Sequence, residues 1–183
     1  PMTGLLEKLA CRIIPDHAGG DSIPELDERL MATPAVAMER CHEVTMNMGF
    51  TSVRATRNAM HELKNHDVKR AESIREDERT ADRYEDELGT YLVKLSGCHL
   101  SDQDRVEAAE LLHMIGDFER ISDHAVNILE STEELRGKGI AFTQPAIEEM
   151  SKMFGAVDEI MDLALTAFIH RDLSAAREVE PLE

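Results

Sequence analysis

Gly116-Asp117-Phe118-Glu119-Arg120-Ile121-Ser122-Asp123-His124-Ala125-Val126-Asn127-Ile128 carries the helical pattern that decides the fold class. In and around it Leu111, Leu112, Ile115, Phe118, Ala125, Val126 and Leu129 recur at three- and four-residue steps. That is the period of a helix with one buried face. Glu119 borders this face, Asp123 follows four residues on, and Asn127 stands one turn further, so the three share one side of the helix. Ser101 or Asp102 starts this helix and Gly137 and Gly139 stop it.

Working outward, every neighbouring segment has the same character. Thr33-Pro34, a capping residue before a proline at the first helical position, opens a long helix with the stripe Ala37, Cys41, Val44, Met48, Ala55, Ala59, Leu63. Asn65-His66 interrupts it and Asp67 caps the next, with Ala71, Ile74, Ala81, Leu88, Leu92 and Leu95 on one face and Gly97 at its end. Beyond Gly139, Pro145 opens a helix carrying Met150, Met153, Val157, Ile160, Ala164 and Phe168, and Asp172 caps a last one. No alternating Val/Ile/Thr run stands between turn signals, so no strand is expected. The pattern predicts an all-α, antiparallel helical bundle.

The two ends of the chain superimpose on a shift of 105 residues: Cys41, Met48, Ala55, Ala59 and Leu63 fall on Ala146, Met153, Ile160, Ala164 and Phe168, and Asp67 falls on Asp172. The expected organisation is a lead-in over 1–27, a three-helix repeat over 28–137 and the start of a second, incomplete repeat over 138–183. The lead-in holds a short amphipathic piece (Leu5, Leu6, Leu9, Ile13, Ile14) ended by Pro15. The chain begins with Pro rather than Met, and is expected to be cut from a longer protein.

At heptad spacing the seam of the second helix reads Ile74, Glu78, Ala81, Glu85, Leu88, Leu92, Leu95, which puts two acids at core positions. A buried carboxylate must be paired, neutralised or bound to a cation. Asp82 lies one turn after Glu78, so Glu78-x-x-x-Asp82 on one helix faces the same spacing, Glu119-x-x-x-Asp123, on the next. Four carboxylates and the Asn127 amide make an all-oxygen donor set suited to a hard cation such as Fe, Mn, Mg or Ca. The competing reading is ordinary ion pairing with Arg75, Arg79 and Arg120, and with 37 acids in the chain the spacing alone decides little. Glu39-x-x-His42 and Glu110-x-x-His113 match the spacing of di-iron bundles, but His113 lies opposite the apolar stripe and His42 lies off its own. His124, beside Asp123, is a possible extra ligand.

Bulk properties narrow the function further. A net charge of −17 repels nucleic acid and anionic lipid. Cys11, Cys41 and Cys98 are odd in number and far apart, the pattern of reduced thiols. No run reaches the ~20 apolar residues of a membrane span. There is no Gly-rich phosphate loop, nucleophile elbow or Cys/His pairing, so no catalytic residue is expected.

The quoted stretch closely resembles the signature of the PhoU family, roughly D-L-E-R-I-G-D-H-A-x-N-I, with Ser122 in place of the usual Gly. Glu78-Arg79-Thr80-Ala81-Asp82 is similar to that family's second-helix E-x-x-x-D. Leu5-Leu6-Glu7-Lys8-Leu9, Ile14-Pro15-Asp16 and Leu26 to Pro34 resemble the segment that joins the last membrane helix to the PhoU-like tail of bacterial sodium/phosphate cotransporters. Arg177 to Glu183 resembles the start of a second carboxylate helix in those tails. The resemblance implies tandem three-helix repeats and a non-enzymatic regulator of phosphate uptake, holding iron or another metal in multinuclear clusters. Carried over residue by residue, the ligands would be Glu78, Asp82, Glu119, Asp123 and Asn127. It implies a place at the cytoplasmic face of the inner or plasma membrane, with the membrane-embedded transporter region of the same protein as partner and phosphate an indirect one. A homo-oligomer is expected from the seam left open by the incomplete repeat. The alternatives are a free-standing PhoU-type regulator and a carboxylate-bridged di-iron oxidase.

Overall fold

A computed structural model describes residues 26–182 of the chain. Most of the expected lead-in, including Cys11, lies outside the described residues, as does Glu183. A short 3-10 turn, Glu28–Ala32, leads into five α-helices: α1 Pro34–Lys64, α2 Val68–Ser96, α3 Asp102–Gly137, α4 Gln144–His170 and α5 Leu173–Val179. Glu180–Leu182 forms a final 3-10 turn. The chain is all-α, as its periodicity predicts, and no strand occurs among the described residues.

Helix starts are fixed by side chains that accept otherwise unpaired backbone N–H groups. Asp67 accepts from Lys69 N at 2.9 Å. Ser101 and Asp104 form a reciprocal capping box on α3. Asp172 accepts from Ser174 N at 2.8 Å and Ala175 N at 3.3 Å. The two aspartates related by the 105-residue shift therefore do the same job. Thr33 stands at the start of α1 but its side chain makes no capping bond; Pro34, with no N–H to satisfy, sets the first turn instead.

α1, α2 and α3 pack against one another, α4 lies on α1, and α5 folds back on α4. As the shared partner of the other three long helices, α1 is buried on most sides. It can be, because its buried hydroxyls bond their own helix: Thr45, Ser52 and Thr56 donate to the carbonyls of Cys41 (2.8 Å), Met48 (3.1 Å) and Ser52 (3.0 Å). The principal core joins Met48, Leu88, Leu92, Leu95, Leu111, Ile115 and Phe118. A smaller one, built from Ala55, Ala59, Ala71, Ile74, Ala125 and Leu129, brings α1, α2 and α3 close near Glu78 and Asp123.

Gly49 is where α1 admits two neighbours at once: a Cβ there would lie 2.8 Å from Phe118 Cζ and 3.0 Å from Leu165 Cδ2. Gly49→Ala should cost about 1–3 kcal/mol of overpacking, offset by about 1 kcal/mol of helix propensity. A small net loss with hydrogen-exchange protection falling first in α4 is the expected outcome; uniform loss across the bundle would contradict it.

Two expectations need correction. Glu78 and Glu85 do not occupy the core seam of α2; both are half-exposed, and the buried row runs Ile74, Asp77, Ala81, Tyr84, Leu88. Ladders stepping +4 and +3 from Ile74 flank it on opposite sides. The +3 side meets α1, where Arg54 holds Asp77, and the +4 side borders α3, so the heptad was phased one position off. On α4 the buried residues are Met161 and Leu165, backed by Phe154, Val157 and Phe168, while Met153 is 56% exposed and Ala164 is exposed. α4 is apolar on two sides, so its periodicity defines no single stripe.

Candidate functional site

The antiparallel run of α2 and α3 brings Glu78 and Asp82 alongside Asp123. One carboxylate oxygen from each lies within 4.8 Å of the others. Ligand oxygens sit about 2.0–2.6 Å from a hard cation, so two across it are at most about 5.2 Å apart. The three carboxylates are thus already close enough to share one ion, and the all-oxygen set fits Mg, Mn, Fe or Ca better than a softer metal. Glu78 is half-buried, whereas Asp82 and Asp123 are exposed, so the site opens at the surface of the α2–α3 groove.

Mutual repulsion marks the cluster electrostatically. Partial burial raises the Glu78 carboxyl above its ordinary pKa, helped by the negative charges of Asp82 and Asp123 and opposed by Arg79. Asp82 is raised by burial, then by Asp123 and Asp86. Glu119, half-buried one turn before Asp123 on α3, is raised by burial, by Asp123 and Glu85, and by a hydrogen bond with Asp123. Asn127 is exposed one turn beyond Asp123. The structure therefore gathers Glu78, Asp82 and Asp123 tightly, with Glu119 at the rim through its bond to Asp123.

Two of the three cations that ordinary ion pairing would need are engaged elsewhere. Arg75 holds Glu133 at 2.6 Å, and Arg79 holds Glu76. Among the described residues no Arg or Lys forms an ion pair with Glu78, Asp82, Glu119 or Asp123. Glu78, Asp82 and Asp123, with Glu119 beside them, thus have no ion-paired Arg or Lys among the described residues; Arg79 offsets the repulsion at Glu78 only in part, and a cation would relieve the site.

Sequence reasoning missed the two acids that are buried. Asp77 is gripped by Arg54 through two bonds, 2.7 and 3.1 Å. Glu62 has no side-chain exposure and gathers Asp67 N, His66, Arg70 and Arg136 where α1 turns into α2. Both are satisfied structural acids. The signal for Glu62 was present in its neighbours: His66 and Arg70 follow at four-residue steps. The di-iron spacing gathers nothing. Glu39, Glu110 and His113 are exposed, and His42 stacks on Phe168. His124 is exposed beside the cluster and belongs to no candidate metal group among the described residues.

No helix among the described residues is long and apolar enough to cross a membrane. Comparison with known proteins finds sequence similarity over this part of the chain. The chain is 24% identical over 148 residues to the phosphate-specific transport system accessory protein PhoU homolog of Clostridium acetobutylicum, covering 78% of this chain. The aligned stretch spans 64% of that relative's length. No solved structure gives a significant match. The family model for the PhoU domain matches residues 45–132, which hold most of α1, all of α2, most of α3 and every one of the clustered carboxylates. Over residues 45–132 the chain is therefore similar to the PhoU domain family.

Proposed function

We propose that this chain is a non-enzymatic, metal-binding regulatory domain that controls phosphate uptake, and that it serves a sodium-dependent phosphate cotransporter. The observation that carries the metal half is the set of carboxylates, Glu78, Asp82 and Asp123, gathered inside the PhoU match with no ion-paired Arg or Lys among the described residues. Glu119 and Asn127 complete the oxygen donors. A bound divalent ion would supply positive charge to an acidic surface, the means by which phosphate, repelled by a net charge of −17, could be felt at all. Iron in multinuclear form is the family's implied occupant, and other hard cations suit the same donors.

The phosphate half is supported by the PhoU match and by the clostridial relative, itself named as an accessory protein of phosphate-specific transport. The cotransporter assignment is supported by the resemblance of Leu26 to Pro34, and of the residues before them, to the join between membrane region and tail. Phosphate accumulation in cells tests the whole reading. Glu78→Gln with Asp123→Asn in the full-length gene should change uptake as deletion of residues 28–137 does. Unaltered uptake after both changes would overturn it. A gene whose upstream sequence lacks membrane spans would favour a free-standing regulator instead.

Residues 138–183 are best read as the beginning of a second repeat. The positions that match α1's buried stripe, Met153, Ile160 and Ala164, are exposed or half-exposed on α4, and so await helices packed as α2 and α3 pack on α1. Alone, this chain should self-associate through that face. Light scattering at high concentration should report a dimer; a strict monomer contradicts the expectation.

A further inference from the structure

His42 of α1 lies where α3 and α4 meet. Its ring stacks on Phe168 of α4 with centroids 4.9 Å apart and planes inclined by 23°. Phe168 in turn meets Phe118 of α3 edge-on, at 5.9 Å and 70°. A titratable ring is therefore a principal contact between the C-terminal end of α4 and the bundle. The rest of α4's hold is thin. Met161 and Leu165 are its buried residues, Lys64 Nζ stands 5.8 Å above the Phe154 ring, and Arg57 reaches Asp158 at 2.5 Å and Asp162 at 2.6 Å. The Arg57 pairs are about half-exposed, so solvent screens them.

The charged groups facing His42 are Glu107 from α3 and Arg171 from the end of α4. These two form an ion pair with each other. Arg171 thus offsets part of the pull of Glu107, and a proton on His42 would also meet the like charge of Arg171. On its own helix, Glu39 is exposed and Glu43 is held by Arg40. We propose that the His42–Phe168 stack is a proton-sensitive latch: the neutral imidazole holds α4 on the bundle, and the imidazolium releases α4's C-terminal half. The face of Phe168 would favour an imidazolium, but loss of water and Arg171 oppose it, and burial is the largest influence.

Burial holds the His42 pKa below the ordinary histidine value; Glu107 pulls it up and Arg171 pushes it down. The docked state thus has the lower pKa. Docking is at full strength above the ordinary histidine range and is lost as pH falls through that range toward the depressed value.

Hydrogen exchange on the whole chain at about pH 7.5 and about pH 5.5, corrected for intrinsic rates, tests the latch alongside an NMR titration of the histidines. His42 should titrate below the ordinary histidine value. Protection of α4 should fall on acidification while α1 to α3 hold theirs. The fall should reach about tenfold for each unit separating the His42 pKa from the ordinary histidine value. His42→Phe should abolish this pH dependence. Glu107→Gln, which leaves the stack intact, should move release to lower pH by removing the group that raises the His42 pKa. Equal α4 protection at both pH values, an unchanged dependence in His42→Phe, or a His42 that titrates at or above the ordinary histidine value would each overturn the proposal.

Discussion

Chelator-treated protein should melt about 5–11 °C higher when saturated with a hard divalent cation, the effect of ligand at about a hundred times its Kd on a domain of this size. The physical source is the repulsion among Glu78, Asp82, Glu119 and Asp123. Three of these have raised pKa values because burial and like charges disfavour their ionised forms. A carboxylate whose folded pKa exceeds its unfolded one contributes stability below the unfolded value, and that stability is lost as pH rises through the folded one. At neutral pH the metal-free cluster therefore sits on the unfavourable side of its titration. Mild acid should stabilise this region of the apo protein, and a cation should do the same at neutral pH. Glu78→Gln and Asp123→Asn should raise the melting temperature without metal and abolish the rise with it. Differential scanning fluorimetry with Mg2+, Mn2+ and anaerobic Fe2+ reads both effects. Opposite signs for apo and loaded protein separate a cation site from a merely structural cluster, whose neutralisation would shift both alike.

Glu62→Ala should cost about 3 kcal/mol, or roughly 6–12 °C in melting temperature. The side chain is fully buried, and both its oxygens accept from Asp67 N at 3.0 Å. It also meets His66, Arg70 Nη1 at 3.4 Å and Arg136 Nη1 at 3.9 Å, so it ties the α1–α2 turn to the end of α3. No glycine ends α1; Asn65 is extended, and Arg70 closes the turn by donating to its carbonyl at 2.7 Å. Removal of the carboxylate leaves the Asp67 N–H without its side-chain acceptor and two guanidinium groups without this anion. Glu62→Gln keeps the volume and one acceptor, and should lose less. Urea unfolding measures both; equal midpoints for wild type and Glu62→Ala would show the hub to be idle.

The helices were legible because their ends and faces carry independent signals. Asp67, Ser101 and Asp172 cap where their sequence neighbours predict, and Cys41, Met48, Leu88, Leu111 and Leu129 are buried as their spacing requires. The E-x-x-x-D pairs were legible as neighbours because antiparallel helices of this spacing bring them level. Their burial was not. Whether the second row of α2 falls at +3 or +4 from Ile74 depends on where α1 and α3 stand around it, which no single helix encodes. The same blindness hid Asp77, an acid in a true seam position, because its partner Arg54 is 23 residues away on another helix. On α4 the ambiguity is of a different kind: the helix is apolar on two sides, and the packing of Met161 and Leu165 distinguishes one from the other.

The metal content of chain purified without chelators and desalted at neutral pH bears most directly on the acid groove between α2 and α3. Elemental analysis should find a hard cation retained in stoichiometric amount by the wild type and lost from Glu78→Gln/Asp123→Asn, with both proteins equally helical. A wild type that carries no more metal than the double variant, even after dialysis against Mn2+ or Fe2+, would contradict it.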